Sequence, residues 1–561
     1  MAASAVHVER ESKLAPGPAF ELSDVARLVG PELLVEALPS LDLSAACFDA
    51  PNLVLARAGI TVRHRTGDGP PTWTVKLPRH ADATSLLRLE LHVAGPRNKR
   101  PREVGAVVAA HLRGRRLVPV AELHTIRSRV EVRDATGRGL VVVAHDMVTA
   151  ARGREALGAW EEIEVEALDP YDGVALQHHL TKALHKAGAK RVKAVPKLVR
   201  ALGDAAAAPP EVVVPKLPDE PTVGQVLRRA LARSVAQILR HDPAVRIGTD
   251  PEDLHQLRIA VRRLRSDLRS FRGLVDEEAA AHLREELRWV ADETNALRDR
   301  DVLRAWLVDR RPAVPEADAD GVAALVARCD AEIATARSRV LRVLGSSRYL
   351  RLVHDLCELL DAPMGVEAGA GGGGSEGRGG VGALGRVDDG AAGGGPRGAG
   401  ADDAAGRSDG SVQGGRSAKG RRKRAERAAR AERAAQAQLD RRVAKRWAAL
   451  AERIAGLGDD PDPSALHHAR IAAKRARAAV EAVEPLEGKR ARRLARSLAD
   501  LQDVLGAVHD ASVFEAWLRG AGTFAAGELA ALARVEGAAS AGRWPEAWAE
   551  AERRQRRSTH A

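Results

Sequence analysis

At 561 residues the chain exceeds one ordinary hydrophobic core, so two or three domains are expected. A net charge of +12, a pI near 10 and 29% charged residues call for an anionic partner, while 3% aromatic residues argue against a protein that stacks unpaired bases. Cys47, Cys329 and Cys357 make no CxxC pair, no apolar run reaches membrane-spanning length, and Met1–Lys13 lacks a signal-peptide core; a soluble protein of the reducing cytoplasm is expected, with no disulfide scaffold or zinc site.

The first organised stretch is Val8-Glu9-Arg10-Glu11-Ser12-Lys13. As a strand, its period of two sets Glu9, Glu11 and Lys13 on one face. Carboxylates beside an ammonium suit a site that holds a divalent cation and a phosphate chain together, although a solvated edge strand carries the same pattern. Further strands are predicted at Ala58–Arg65, Thr72–Leu77, Leu86–Val93, Ile126–Arg133, Gly139–Asp146 and Trp160–Ala167, and a helix at about Tyr171–Gly188. Charge recurs at alternate positions: Arg63 and Arg65; Arg88, Glu90 and His92; Arg127 and Arg129; Glu162, Glu164 and Glu166. Apolar residues fill many positions between, and the near absence of neutral polar residues on the charged face favours a barrel with a charged lumen over a solvated exterior.

These motifs resemble the CYTH domain of the triphosphate tunnel metalloenzyme family. The resemblance rests on Glu9-x-Glu11-x-Lys13, Phe48-Asp49, Gly59-Ile60-Thr61-Val62-Arg63-x-Arg65, Lys76, Arg88-x-Glu90, Arg127-x-Arg129, Asp146 and Glu162-x-Glu164, and covers about the first 200 residues. It implies an eight-stranded antiparallel tunnel whose basic residues grip a triphosphate and whose carboxylates hold Mg²⁺ or Mn²⁺. On that pattern Glu9, Glu11 and Lys13 are catalytic, and Glu9, Glu11, Glu90, Asp146, Glu162 and Glu164 are metal ligands. Arg63, Arg65, Lys76, Arg88, Arg127, Arg129 and Lys197 are substrate-binding, with Lys193 a weaker candidate. The family includes inorganic and thiamine triphosphatases and a class of adenylate cyclases. His92 departs from it, standing where a second acidic residue is common, and Pro196-Lys197 replaces Ser-Lys.

Residues 203–221, rich in Ala and Pro, read as a linker, after which Val223, Val226, Leu227, Leu231, Val235 and Ile238 recur at helical spacing. An internal repeat follows. His255-x-x-Arg258-x-x-x-Arg262-x-x-Arg265 returns as His467-x-x-Arg470-x-x-x-Lys474-x-x-Arg477, each set on one helical face. Leu297-Arg298-Asp299 through Trp306-Leu307 is echoed by Val508-His509-Asp510 through Trp517-Leu518. The repeats resemble the CHAD domain, which implies two pseudo-symmetric helical halves and a basic cleft that binds inorganic polyphosphate through His255, Arg258, Arg262, Arg265, His467, Arg470, Lys474 and Arg477. The expected architecture is multi-domain α+β: a tunnel domain (1–202), an all-α bundle in two halves (222–362 and 421–557), and between the halves a Gly-rich stretch (363–420) expected to be disordered. The leading expectation is metal-dependent hydrolysis of inorganic triphosphate coupled to polyphosphate binding. Alternatives are a non-catalytic polyphosphate-binding protein and a nucleotide or thiamine triphosphate enzyme. Nucleic acid is disfavoured because the repeats carry no helix-turn-helix or zinc motif.

Overall fold

The computed structural model describes residues 4–18, 20–79, 85–169, 172–361, 413–458 and 461–559. Alternation along the N-terminal strands produces a closed barrel of β1 (Ser4–Ala15), β2 (Leu34–Asp49), β3 (Thr61–Thr66), β4 (Thr72–Pro78), β5 (Ser85–Ala94), β6 (Val118–Arg133), β7 (Gly139–Arg152) and β8 (Glu155–Ala167). The antiparallel order is β5-β4-β3-β2-β6-β7-β8-β1, and β1 pairs with β5 to close it; a two-residue strand, Lys190–Arg191, extends β1. Charged residues point inward. The apolar set points outward and is buried by helices: Trp73, Val75, Leu89 and Leu91 beneath the helical turns at 102–112, and Val130, Val143, Ile163 and Val165 beneath α1 (Val174–Lys186). The second helix, α2 (Lys197–Leu202), sets Leu198, Ala201 and Leu202 against Cys47, Ala121 and Leu123, plugging one end of the lumen.

Two differences from the sequence reading concern strand extent. The 16-residue β2 carries no clean alternation, because its register slips between Leu38 and Leu41, beside Pro39. The strands β6 and β8 begin eight and five residues before their predicted starts, and β7 ends six residues after its predicted end. Residues 203–221 hold a helical turn, Asp204–Ala207, place Val212 in the helical core, and pair Glu211 with Arg113 and Arg115.

Among the described residues the C-terminal region is helical: α3 (Val223–Ile247), α4 (Pro251–Ser270), α5 (Glu277–Arg310), α6 (Ala319–Gly345), α7 (Ser347–Asp361), α8 (Gln413–Ala455), α9 (Pro463–Glu487), α10 (Lys489–Arg519), α11 (Phe524–Ala541) and α12 (Trp544–Thr559). Sequence signals start several of them. Thr222 and Gln225 form a capping box on α3, and Asp250 and Asp462 cap the two repeat helices, each followed by proline at the first helical position. The helix expected at Arg421–Ile454 begins at Gln413; the rest of the Gly-rich stretch, 363–412, lies outside the described residues. The core of the first half takes in Ala435, Leu439, Ala482 and Val483 of α8 and α9, the second half has a core of its own, and Leu303, Leu307, Leu325, Phe514, Leu518 and Leu529 join α5, α6, α10 and α11 in a shared one. Among the described residues no helix is long and apolar enough to cross a membrane.

The domains pack through named contacts. Pro243 within α3 has no N–H for the carbonyl of Leu239, and His111 of the barrel domain donates its Nε2–H to that carbonyl instead, at 3.0 Å. Burial holds the His111 imidazole below its ordinary range, so it is neutral here. Arg79, at the end of β4, pairs with Asp253 at 2.7 Å, and His241 Nδ1 meets the same oxygen at 3.0 Å.

Candidate functional site: a charged tunnel and a basic cleft

Strand register alone sets the pattern of charge in the lumen. It places Lys13 opposite Glu164, Glu9 opposite Arg88, Lys76 opposite Glu90, and Asp146 between Arg127 and Glu162. Glu9, Glu11, Lys13, Lys76, Arg88, Glu90, Asp146, Glu162 and Glu164 are all buried. Charges in such a place are stable only when paired.

They sort into two groups. In the first, Lys76 Nζ lies 2.8 Å from Glu9 and also pairs with Glu90, while Arg88 holds Glu9 at 3.0 Å and also pairs with Glu11. His92 Nε2 lies 3.1 Å from Glu90. In the second, Lys13 reaches Glu162 at 2.7 Å and Glu164 at 2.6 Å, and Lys197 reaches Asp146, Glu162 and Glu164 at 2.9, 2.8 and 2.6 Å. Arg127 forks onto Asp146 at 2.8 and 2.7 Å and also pairs with Glu164. The six carboxylates expected as one ligand set are thus divided, and Lys13 stands between the groups, 3.8 Å from Glu11.

Burial raises the carboxyl of Glu164, but Lys13, Lys197 and Arg127 outweigh it and hold the group well below its usual range. Burial likewise opposes ionisation of Glu90, and Lys76, His92 and Arg63 overcome it. Glu11 is raised by burial, which Arg88 only partly offsets. Lys13 and Lys197 stay charged: their carboxylate neighbours overcome desolvation and raise both ammonium groups.

Positive charge is in excess along one wall. The Arg63 Nε is buried with no hydrogen-bond partner among the described residues, and burial beside Arg63 lowers Arg65 to about 10. Arg63, Arg65 and Arg127 line both the closed end, where Pro196, Lys197 and Leu198 sit, and the open end, where Gly67, Asp68, Gly69, His7, His92, Arg129 and Glu166 form the mouth. Lys193 is exposed and lines neither. One lumen residue and one exposed neighbour of the closed end were absent from the sequence-derived site. Glu166 extends the β8 alternation and is pushed up to about 8 by burial and by Glu9. Arg200, on α2, lies over Trp160 at 4.9 Å and 3.6 Å from Glu162; only helical spacing from Lys197 pointed to it.

Asp146, Glu162 and Glu164 each offer a carboxylate oxygen, all within 4.8 Å of one another. Three hard oxygens fit Mg²⁺ or Mn²⁺ rather than a thiolate-seeking metal. The same oxygens already hold two ammonium groups, so this cluster is built to hold cations.

The second site joins the repeats. The cations of α4 and α9 face each other, Arg258, Arg265, Arg470 and Lys474 half-buried and Arg262 exposed: desolvation and then Arg470 and Arg477 lower Arg262, and burial, Arg470 and Arg262 lower Lys474 to about 8. Arg258 donates to the Ala291 carbonyl, Thr294 and Asn295 at 3.2, 3.1 and 2.8 Å, fixing its guanidinium. His467 lies 4.7 Å from His509 ring to ring, and Arg470 is 4.0 Å from Asp510. Burial and Arg470 lower His509 to about 4, and burial keeps His255 and His467 below their ordinary range. The Arg470 Nε and His467 Nδ1 are buried without hydrogen-bond partners among the described residues. Arg265 lies near Arg262, whereas Arg477 is engaged by Glu481 of its own helix at 2.8 Å. Arg475, off the shared face, is exposed and, after burial and Arg265, helps to lower Arg269 of α4, and Arg263 turns to Glu481 at 3.5 Å. Arg298, Asp299, His509 and Asp510 join the cleft from α5 and α10; the echo around Leu297 and Val508 was their sequence signal.

A closed antiparallel barrel with a charged lumen, followed by a pseudo-repeated helical bundle with a cationic cleft, defines the class of protein. The chain belongs to the CYTH and CHAD families: the CYTH domain matches residues 7–201 and the CHAD domain residues 229–389 and 400–519. It is similar to an uncharacterized protein of Mycobacterium tuberculosis, 35% identical over 284 residues, 48% of this chain and 53% of that one. The chain thus spans about half the length of the curated relatives it matches. Among solved structures, the CHAD domain from Ricinus communis is 22% identical, covering 63% of this chain and 97% of that one at a TM-score of 0.38. PptA from Streptomyces chartreusis is 18% identical, covering 58% and 99% at a TM-score of 0.39.

Proposed function

We propose that the tunnel hydrolyses inorganic triphosphate or a related triphosphate with Mg²⁺ or Mn²⁺, and that the helical cleft binds inorganic polyphosphate. The observation that carries the first part is the coexistence, in one buried lumen, of an Arg63 Nε without a hydrogen-bond partner among the described residues and the three-oxygen cluster at Asp146, Glu162 and Glu164. Arg63, Arg65, Arg127 and Arg129 neutralise and align the chain of phosphates, which otherwise repels an attacking water. Lys76 and Arg88, already fixed by Glu9, Glu11 and Glu90, present their remaining donors to the same chain without having to be ordered on binding. Asp146, Glu162 and Glu164 would hold a divalent cation, which when bound would supply charge neutralisation and an acidified water. The α2 plug bars bulk water from one end.

An inorganic chain is favoured over a nucleotide or thiamine triphosphate because the lumen is lined mostly by charged groups and, among the described residues, by no Phe, Trp or Tyr; the flat groups it offers a ring are the His7 and His92 imidazoles and the arginine guanidiniums. A non-catalytic module is the second reading, supported by His92, which takes up Glu90. Phosphate release from triphosphate, ATP and thiamine triphosphate, measured side by side with each metal, separates the readings: triphosphate is expected to be cleaved fastest. Polyphosphate bound in a salt-sensitive way, with no release from any substrate, would leave only the binding module.

A further inference from the structure

The seam between the two domains holds a cavity that belongs to neither charged site. Its barrel wall begins at Asp49, whose carboxylate accepts from the backbone N–H groups of Ala50, Leu55 and Ala56 at 2.7, 3.0 and 2.8 Å and so fixes the turn that carries Val54. Ile60 and Leu77 continue this wall, Leu77 pointing out of the barrel from the residue after Lys76. Opposite stands α3, bent at Pro243, with Ala236 and Leu239; Val212 closes the side. The space amounts to about 310 Å³, within the lower range of small-molecule sites (about 300–1,000 Å³), and domain seams are where such sites recur.

The floor is apolar, the rim cationic. Arg57 is tied to the Pro209 carbonyl at 2.7 Å and Arg79 to Asp253, and the rim carboxylate Glu211 is engaged by Arg113 and Arg115. Arg240 is exposed on α3 at the rim, and among the described residues it has no ion pair or hydrogen bond. A free guanidinium over an apolar hollow complements an anion with a greasy body. A bare phosphate gains nothing from the floor, and a neutral apolar molecule gains nothing from Arg240.

We propose that this cavity binds a small organic monoanion, a carboxylate whose head pairs with Arg240 and whose apolar body fills the space between Val54, Ile60, Leu77, Val212 and Leu239. None of these residues lines the lumen or the cleft, so the inference stands apart from the proposed activity. The test is calorimetric titration of the full chain with octanoate and with octanol. Octanoate is expected to bind saturably, one per chain and about tenfold tighter than octanol. Arg240→Gln should bring octanoate down to the affinity of octanol, and Ala236→Trp, which fills the hollow, should abolish both. Equal affinity for the two probes in the unmodified chain, or octanoate binding unchanged by Arg240→Gln, overturns the proposal even if Ala236→Trp misfolds.

Discussion

Glu166 lies two residues beyond Glu164 on β8 and faces the mouth of the tunnel, where burial and the carboxylates of Glu9, Glu11 and Glu164 raise it to about 8, with Lys76 the opposing influence. A carboxyl whose folded pKa exceeds its ordinary 4.5 binds its proton more tightly when folded. Its stabilising contribution is therefore complete below about 4.5 and disappears as pH rises through about 8. The melting temperature of the unmodified chain should fall between about pH 4.5 and about 8 and level off above it, and Glu166→Gln should flatten that fall. An unchanged slope in the variant would show that Glu166 does not titrate in this range. The alternation of β8 made Glu162 and Glu164 readable from sequence. What could not be read is that their oxygens meet Lys197, which arrives from a helix more than thirty residues later.

At the scale of elements, the repeat helices were readable because His, Arg and Lys recur at one helical face twice, and aspartate-capped starts bound both helices. The strand β2 was not, because Pro39 and the adjoining register slip erase its alternation and small residues such as Ala45 and Ala46 replace the usual β-branched ones. The cations of α4 and α9 should act as counterion-releasing contacts. Arg262→Gln and Arg470→Gln are each expected to lower the slope of log affinity for polyphosphate against log salt by about 1. Arg475→Gln, off the face that carries the repeat, should lower the slope by less than either. Equal effects of all three would mean that polyphosphate is held by overall charge and not by the cleft.

For the whole molecule, the feature outside the reach of sequence is the joint. Proline removes a helical hydrogen bond, yet α3 continues through Pro243, and the carbonyl it releases becomes the acceptor for His111. Together with Arg79–Asp253 and the exchange of Ala110 and Ala244 between the two cores, this makes the barrel and bundle one packed body. His111→Ala leaves the Leu239 carbonyl buried and unpaired, at a cost of about 1–3 kcal/mol. Scanning calorimetry should then resolve two transitions where the unmodified chain shows one. A single transition at an unchanged temperature would contradict the assignment of this contact as the joint.

The measurement that bears most directly on the tunnel is phosphate release from inorganic triphosphate across a titration of Mg²⁺ and Mn²⁺, for the unmodified chain and for Glu162→Gln. Glu162 is 2% exposed, and its oxygens are shared by Lys13 and Lys197 in the cluster suited to a cation. The account predicts metal-dependent release that falls by about 10²-fold or more in the variant, with polyphosphate binding by the helical domain retained. Release that needs no divalent metal, or that survives Glu162→Gln undiminished, would contradict it.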